Sequence, residues 1–133
     1  DADTAAFNKI MLAFALPKAS PEEKAIRTQA IQDATKYAIE IPFKVMQTAY
    51  ESMEVIKSMV IEGNPNSVTD AGVGALCARS AVIGAFMNVR INATGYNDKA
   101  YTTDIIARGS DIESKTMALE AEILGLVNGK IGV

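Results

Sequence analysis

Apolar positions in this chain recur at helical spacing almost throughout, and the period-two alternation of strands is almost absent. A first helix is expected over roughly 4–15, capped by Asp3, with Phe7, Ile10, Met11 and Phe14 on one stripe. Pro17 stops it. Ser20-Pro21-Glu22-Glu23 reads as a capping box with Pro at the first helical position, and it opens the longest helix, which runs to Glu62 and ends at Gly63. Pro42 lies inside that helix. It has no N–H for the carbonyl of residue 38 and its ring crowds that carbonyl, so a kink is expected near 38–42; a break into two helices at Ile41 is the alternative. Val45, Met46, Ala49, Met53, Ile56 and Val60 continue the apolar stripe.

Gly63-Asn64-Pro65-Asn66 marks the main turn, and Ser67 with Asp70 resembles a second capping box. The next helix spans roughly 68–93 and ends at Gly95. Gly74, Ala78, Ala81 and Ala85, with Gly84 adjacent, form a flat face that lets another backbone approach. Each helical Gly costs about 1 kcal/mol relative to Ala, a cost that close packing would offset at Gly72, Gly74 and Gly84. In a last helix over about 98–127, Ile105, Ile112, Leu119 and Leu126 recur every seven residues, with Thr116 and Ile123 offset by four. Asp104–Arg108 and Asp111–Lys115 are i,i+4 pairs on its solvated side. The expected fold is all-α: a single antiparallel helical bundle with one long Pro-kinked helix. Its apolar stripe and small-residue face exceed what four helices cover, so a homodimer is expected.

Charge and composition narrow the function classes. Net charge is −3 over 133 residues, with acidic and basic residues interspersed, so nothing points to nucleic acid. Cys77 is the single cysteine; it excludes an intrachain disulfide and reads as a buried structural thiol. The absence of His removes imidazole catalysis and disfavours a transition-metal site. No apolar run approaches the roughly 18–20 residues that span a bilayer, and no signal peptide is visible, so a cytoplasmic protein without membrane contact is expected. No dinucleotide or P-loop fingerprint is present.

With imidazole absent, acid–base chemistry falls to Asp, Glu, Lys and Tyr. Asp1 and Asp3 form a DxD pair at a helix start; capping and chemistry both suit them. Asn64, Asn66, Ser67 and Asp70 place four polar groups around a helix N-terminus, more than capping requires. Asn88 and Asn92 share a helix face, whereas Arg90 points roughly 200° away from Asn88, toward an acid, a ligand's carboxylate or a partner subunit. Arg79 carries a similar ambiguity. Lys18 ends the LPK turn, Lys44 follows the proline, and the six Met residues read as core filler.

GNPNSVTDAGV at 63–73 and NVRIN at 88–92, with DADTAAF at 1–7, LPK at 16–18 and AIEIPFKV at 38–45, give the chain a family likeness over nearly its whole length. It resembles the formimidoyltetrahydrofolate cyclodeaminase / methenyltetrahydrofolate cyclohydrolase family. The resemblance implies a helical dimer acting on a tetrahydrofolate derivative, without metal or nucleotide. It implies closure of 5-formimidoyl-tetrahydrofolate to 5,10-methenyl-tetrahydrofolate with release of ammonia. A cyclohydrolase, interconverting the 5,10-methenyl and 10-formyl forms, is the alternative; a non-catalytic folate-binding or structural dimer is another. On that resemblance Asp3 is the acid–base group and Asp1 its companion. Asn64, Asn66, Asn88 and Asn92 hold pterin and carbonyl edges, Ser67 and Asp70 complete the turn cluster, and Lys18 and Arg90 match family positions. A formimidoyltransferase partner is a further implication. In the family a segment rich in Gly, Ser and Ala precedes the DxD stretch, so the domain is expected to be N-terminally incomplete.

Overall fold

The computed structural model describes residues 1–132. Four helices follow in order: α1 (Ala2–Ala15), α2 (Pro21–Glu62), α3 (Val68–Ala93) and α4 (Lys99–Ile131), with a 3-10 turn, Pro65–Ser67, between α2 and α3. Among the described residues there is no strand. The all-α expectation holds.

The caps follow from residues within one turn of each helix end. The Ser20 hydroxyl accepts from the Glu23 N–H at 3.1 Å, and the Glu23 carboxylate accepts from the N–H groups of Ser20 and Ala19. At α1 the cap is Asp1 rather than Asp3. The Asp1 carboxylate accepts from the Thr4 N–H at 2.9 Å and its hydroxyl at 3.0 Å. Asp3 lies inside the first turn, where an acidic side chain suits the helix dipole but cannot cap. Asp98 caps α4 through the Tyr101 N–H, and α4 runs four residues beyond the expected Val127 to a left-handed Gly132. The expected Ser67–Asp70 box does not form, because Ser67 makes no side-chain cap bond. The 3-10 turn leads directly into α3, and the Val68 N–H bonds to Pro65 O.

Helix α2 is continuous through Pro42, so the break at Ile41 does not occur. It packs against α1, α3 and α4. Asn92 meets Ala38 at one end of the α2–α3 pair and Gly74 faces Ile56 farther along, so these helices are antiparallel. Gly72 against Val127 and Phe86 against Gly109 give α3 and α4 the same relation. One core cluster gathers Ile39, Phe43, Met46, Val82, Phe86, Val89 and Ile105; the other gathers Met53, Val60, Ala75, Leu119, Ile123 and Val127.

Several faces differ from expectation. Helix α1 buries Ala6 and Ala13 and leaves Phe7, Met11, Leu12 and Phe14 exposed. Met46 and Met53 fill the core, but Met11, Met59, Met87 and Met117 are exposed. On α3 the buried stripe is Gly72, Ala75, Ala78, Val82, Ala85, Phe86, Val89 and Ala93. Ala81 and Gly84 of the expected flat face are exposed, and so is Cys77, which is therefore not a buried thiol. Helix α3 buries one stripe against α2 and α4, and Cys77 lies off it. Pro65–Ala93 is long and apolar enough by length and composition to cross a membrane, contrary to the reading that no run approaches that length. Here its buried stripe packs onto α2 and α4.

Candidate functional site

The residues expected to carry chemistry fall into two groups. Asp3 from α1 lines two adjoining clefts on α2. In one, of about 130 Å³, it meets Ala6, Phe7, Ile10, Ala38 and Asn92. In the other, of about 250 Å³, it meets Ile41, Pro42, Val45, Ala81, Ala85 and Asn88. Helices α1 and α3 thus bring Asp3, Asn88 and Asn92 to the stretch of α2 from Ala38 to Val45. A wider cleft of about 520 Å³ shares Ile41 and Val45 with the second and adds Lys44, Thr48 and Ser52. Together these form an open groove, polar near Asp3 and largely apolar elsewhere.

The second group lines a separate cleft of about 250 Å³, where Asn64, Ser67 and Asp70 face Ile56, Met59, Ala71 and Gly74. The Asn64 side chain accepts from the Asn66 N–H at 3.0 Å, which shapes the turn; the Asn66 side chain does not line this cleft. Along α2, Ile56 of this cleft lies eleven residues beyond Val45, the last α2 residue of the clefts that hold Asp3, a separation on the order of 16 Å at 1.5 Å per residue, and the wider cleft reaches Ser52 between them. Within one chain, the two motif clusters are therefore not one small pocket.

Other expected residues lie apart. Asp1 serves as the α1 cap. Lys18 is exposed in the α1–α2 connection. Arg90 is exposed, and its guanidinium stacks 4.7 Å from the Phe86 ring centroid; no acid within ion-pair distance of it occurs among the described residues. Arg79, by contrast, finds an acid: its Nε is 3.1 Å from Glu120 Oε2 on α4.

Asn92 has a protein partner that the motif did not disclose. Its Nδ2 donates to the Ala38 carbonyl at 2.9 Å, and Asn92 is half-buried. Ala38 is the residue whose carbonyl Pro42, four residues on, cannot serve. The signal was present in the sequence as an orphaned acceptor; its donor was not. Ile41, Val45 and Ala81, which form the walls of the cleft, carried no polar signal at all.

The matches to known proteins agree with this architecture. The family model described as Formiminotransferase-cyclodeaminase matches residues 1–111. A methenyltetrahydrofolate cyclohydrolase of Methylorubrum extorquens is 33% identical over 97% of this chain and 62% of its own length. A formimidoyltransferase-cyclodeaminase of Gallus gallus is 36% identical over 78% of this chain, which corresponds to 19% of that protein. The crystal structure of formiminotetrahydrofolate cyclodeaminase from Thermotoga maritima superposes with a TM-score of 0.81 at 21% identity, over 98% of this chain and 61% of that one, and so shares the fold. The chain therefore spans about three fifths of the first of these relatives and a fifth of the second. The matched residues 1–111 include both motif clusters and both Pro42 clefts, and on that match the chain belongs to the formiminotransferase-cyclodeaminase family.

Proposed function

We propose that this chain closes 5-formimidoyl-tetrahydrofolate to 5,10-methenyl-tetrahydrofolate with release of ammonia. The observation that carries the reading is the convergence of Asp3 and Asn88 on one cleft beside Pro42. N10 attacks the formimidoyl carbon, forming the N10–C bond and a tetrahedral centre. The Asp3 carboxylate takes the N10 proton and returns it to the exocyclic nitrogen; one further proton from solvent lets the C–N bond break and ammonia leave. Holding N10 against the carbon supplies much of the remaining rate. Asn88 offers an amide to the pterin edge, and Lys44, on the same groove, a cation to the glutamate tail. The Asn64–Ser67–Asp70 cleft is an alternative seat for the pterin, since a carboxylate pairs well with adjacent N–H donors.

The two clefts that Asp3 lines, of about 130 and 250 Å³, are each smaller than the roughly 300–1,000 Å³ usual for a ligand pocket, and the adjoining cleft of about 520 Å³ is open to solvent. The exposed apolar side chains of α1 and α3 support a homodimer in which a second copy walls the groove. The cyclohydrolase reading is favoured by one specific observation, the 33% identity to the Methylorubrum extorquens enzyme over nearly this whole chain. In that reaction Asp3 activates water toward the same amidinium carbon.

The test is absorbance of methenyl-tetrahydrofolate with each substrate offered alone. Appearance of the band from 5-formimidoyl-tetrahydrofolate, with ammonia, is expected. Consumption of the band from methenyl-tetrahydrofolate, well above the buffer rate, with none formed from the formimidoyl substrate, would replace the proposal by the cyclohydrolase.

A further inference from the structure

We infer that Asn92 is a positioning residue, whose amide ties the carbonyl left free by Pro42 to α3 and so sets the walls of the Asp3 clefts; its catalytic consequence rests on the function proposed above. A proline inside a helix removes one hydrogen bond and leaves an acceptor four residues earlier. A buried acceptor without a donor costs about as much as a lost hydrogen bond, so such carbonyls find water or a side chain. Ala38 is buried, and its carbonyl accepts from Asn92 Nδ2 at 2.9 Å. The two residues line the smaller cleft, and Pro42 itself lines the neighbouring one, with Asp3 common to both.

The bond therefore joins α2 and α3 at the wall of the smaller cleft, one helical turn from the Pro42 that lines the other. Val89 and Ala93, which flank Asn92 on the buried stripe of α3, are in the same core cluster as Ile39 and Phe43 of α2. The packing holds Asn92 in register with the Ala38 carbonyl. Asn88, one turn earlier, lines the cleft without a hydrogen bond to protein among the described residues. The two asparagines of the motif thus divide their work: Asn88 faces ligand, and Asn92 holds the helix that faces it.

A four-member cycle tests this: the chain itself, Asn92→Ala, Pro42→Ala and the double variant. Pro42→Ala returns an N–H to position 42, which reaches the Ala38 carbonyl within α2. Asn92→Ala is expected to lower Tm by about 4 °C in the native background and by less than about half of that in the Pro42→Ala background. For whichever of the two one-carbon substrates the native chain turns over, Asn92→Ala is expected to lower kcat about tenfold with KM within about twofold. Most of that kcat loss is expected to be relieved by Pro42→Ala. Equal Tm losses in both backgrounds overturn the inference. A raised KM in both backgrounds also overturns it, because that is the mark of a group that contacts substrate. If the native chain turns over neither substrate, the proposed function fails, while the Tm cycle still upholds or overturns the Asn92–Pro42 link.

Discussion

Phe86 of α3 puts an edge of its ring where Gly109 of α4 has no side chain. A Cβ at position 109 would sit 2.5 Å from Phe86 Cε2 and 2.8 Å from Cδ2. The ring is 3% exposed and belongs to the core cluster of Ile39, Phe43 and Val89, so it has nowhere to move without disturbing that cluster. An ordinary helical Gly→Ala change stabilises by up to about 1 kcal/mol. At Gly109 the overlap reverses the sign, and Gly109→Ala is expected to destabilise by about 1–3 kcal/mol. Gly125, on the same helix, has nothing within 4 Å of its Cβ position, so Gly125→Ala is expected to raise Tm. Urea titration of the two variants measures both signs; equal effects would refute the packing argument.

The Ser20–Glu23 capping box is the start of the 42-residue helix that every other helix packs on. Loss of an N-cap side chain costs about 1 kcal/mol. Ser20→Ala is therefore expected to lower Tm by about 4 °C, and Ser20→Asp to restore most of the loss. Thermal melting followed by circular dichroism at 222 nm checks both.

If Asp3 carries protons in the reaction, Asp3→Asn should reduce kcat at least about a hundredfold. Its side chain is exposed and the helix cap belongs to Asp1, so Tm is expected to stay within about 2 °C. A preserved rate in a folded Asp3→Asn variant removes Asp3 from the mechanism.

Tyr101 predicts a pH dependence. Burial, and then the neighbouring Glu40 carboxylate, push its phenol up to about 12 from an ordinary value of 10.0. The folded chain holds the proton more tightly than the unfolded chain. Its contribution is therefore fully present below pH 10 and is lost as pH rises toward about 12. Between those values Tm should fall more steeply for the native chain than for Tyr101→Phe, which keeps the edge-to-face contact with Tyr96. Parallel Tm profiles for the two chains would contradict the assignment.

The helices were legible because their ends depend on atoms within about four residues. Ser20 and Glu23 cap each other, Gly63 ends α2, and Asp104–Arg108 and Asp111–Lys115 pair along α4 as their spacing requires. The first cap was misplaced by two residues because Asp1 and Asp3 are chemically equivalent, and only Thr4 decides between them. The exposed faces were harder to read. Phe7, Met11 and Phe14 form a good apolar stripe, yet α1 seats on α2 through Ala6 and Ala13. Small side chains let the helices approach closely, and that choice is invisible in hydrophobicity alone.

The sequence by itself determined four helices, the Ser20–Glu23 cap and Gly63 end of the longest one, the turn at Asn64 and the family to which the motifs point. Each of these rests on local hydrogen bonding, on backbone preference or on the recurrence of a word of residues. Only the tertiary structure decided that Asn92 gives its amide to Ala38, that Phe86 needs a glycine at 109, and that Asp3 and Asn88 share a cleft from which Asp70 is excluded. Those relations depend on how far one helix is rotated and slid against another. A rotation of about half a turn would exchange the buried stripe of α3 for the face that carries Cys77 and Met87; the packing of α2, α3 and α4 as a set sets that angle.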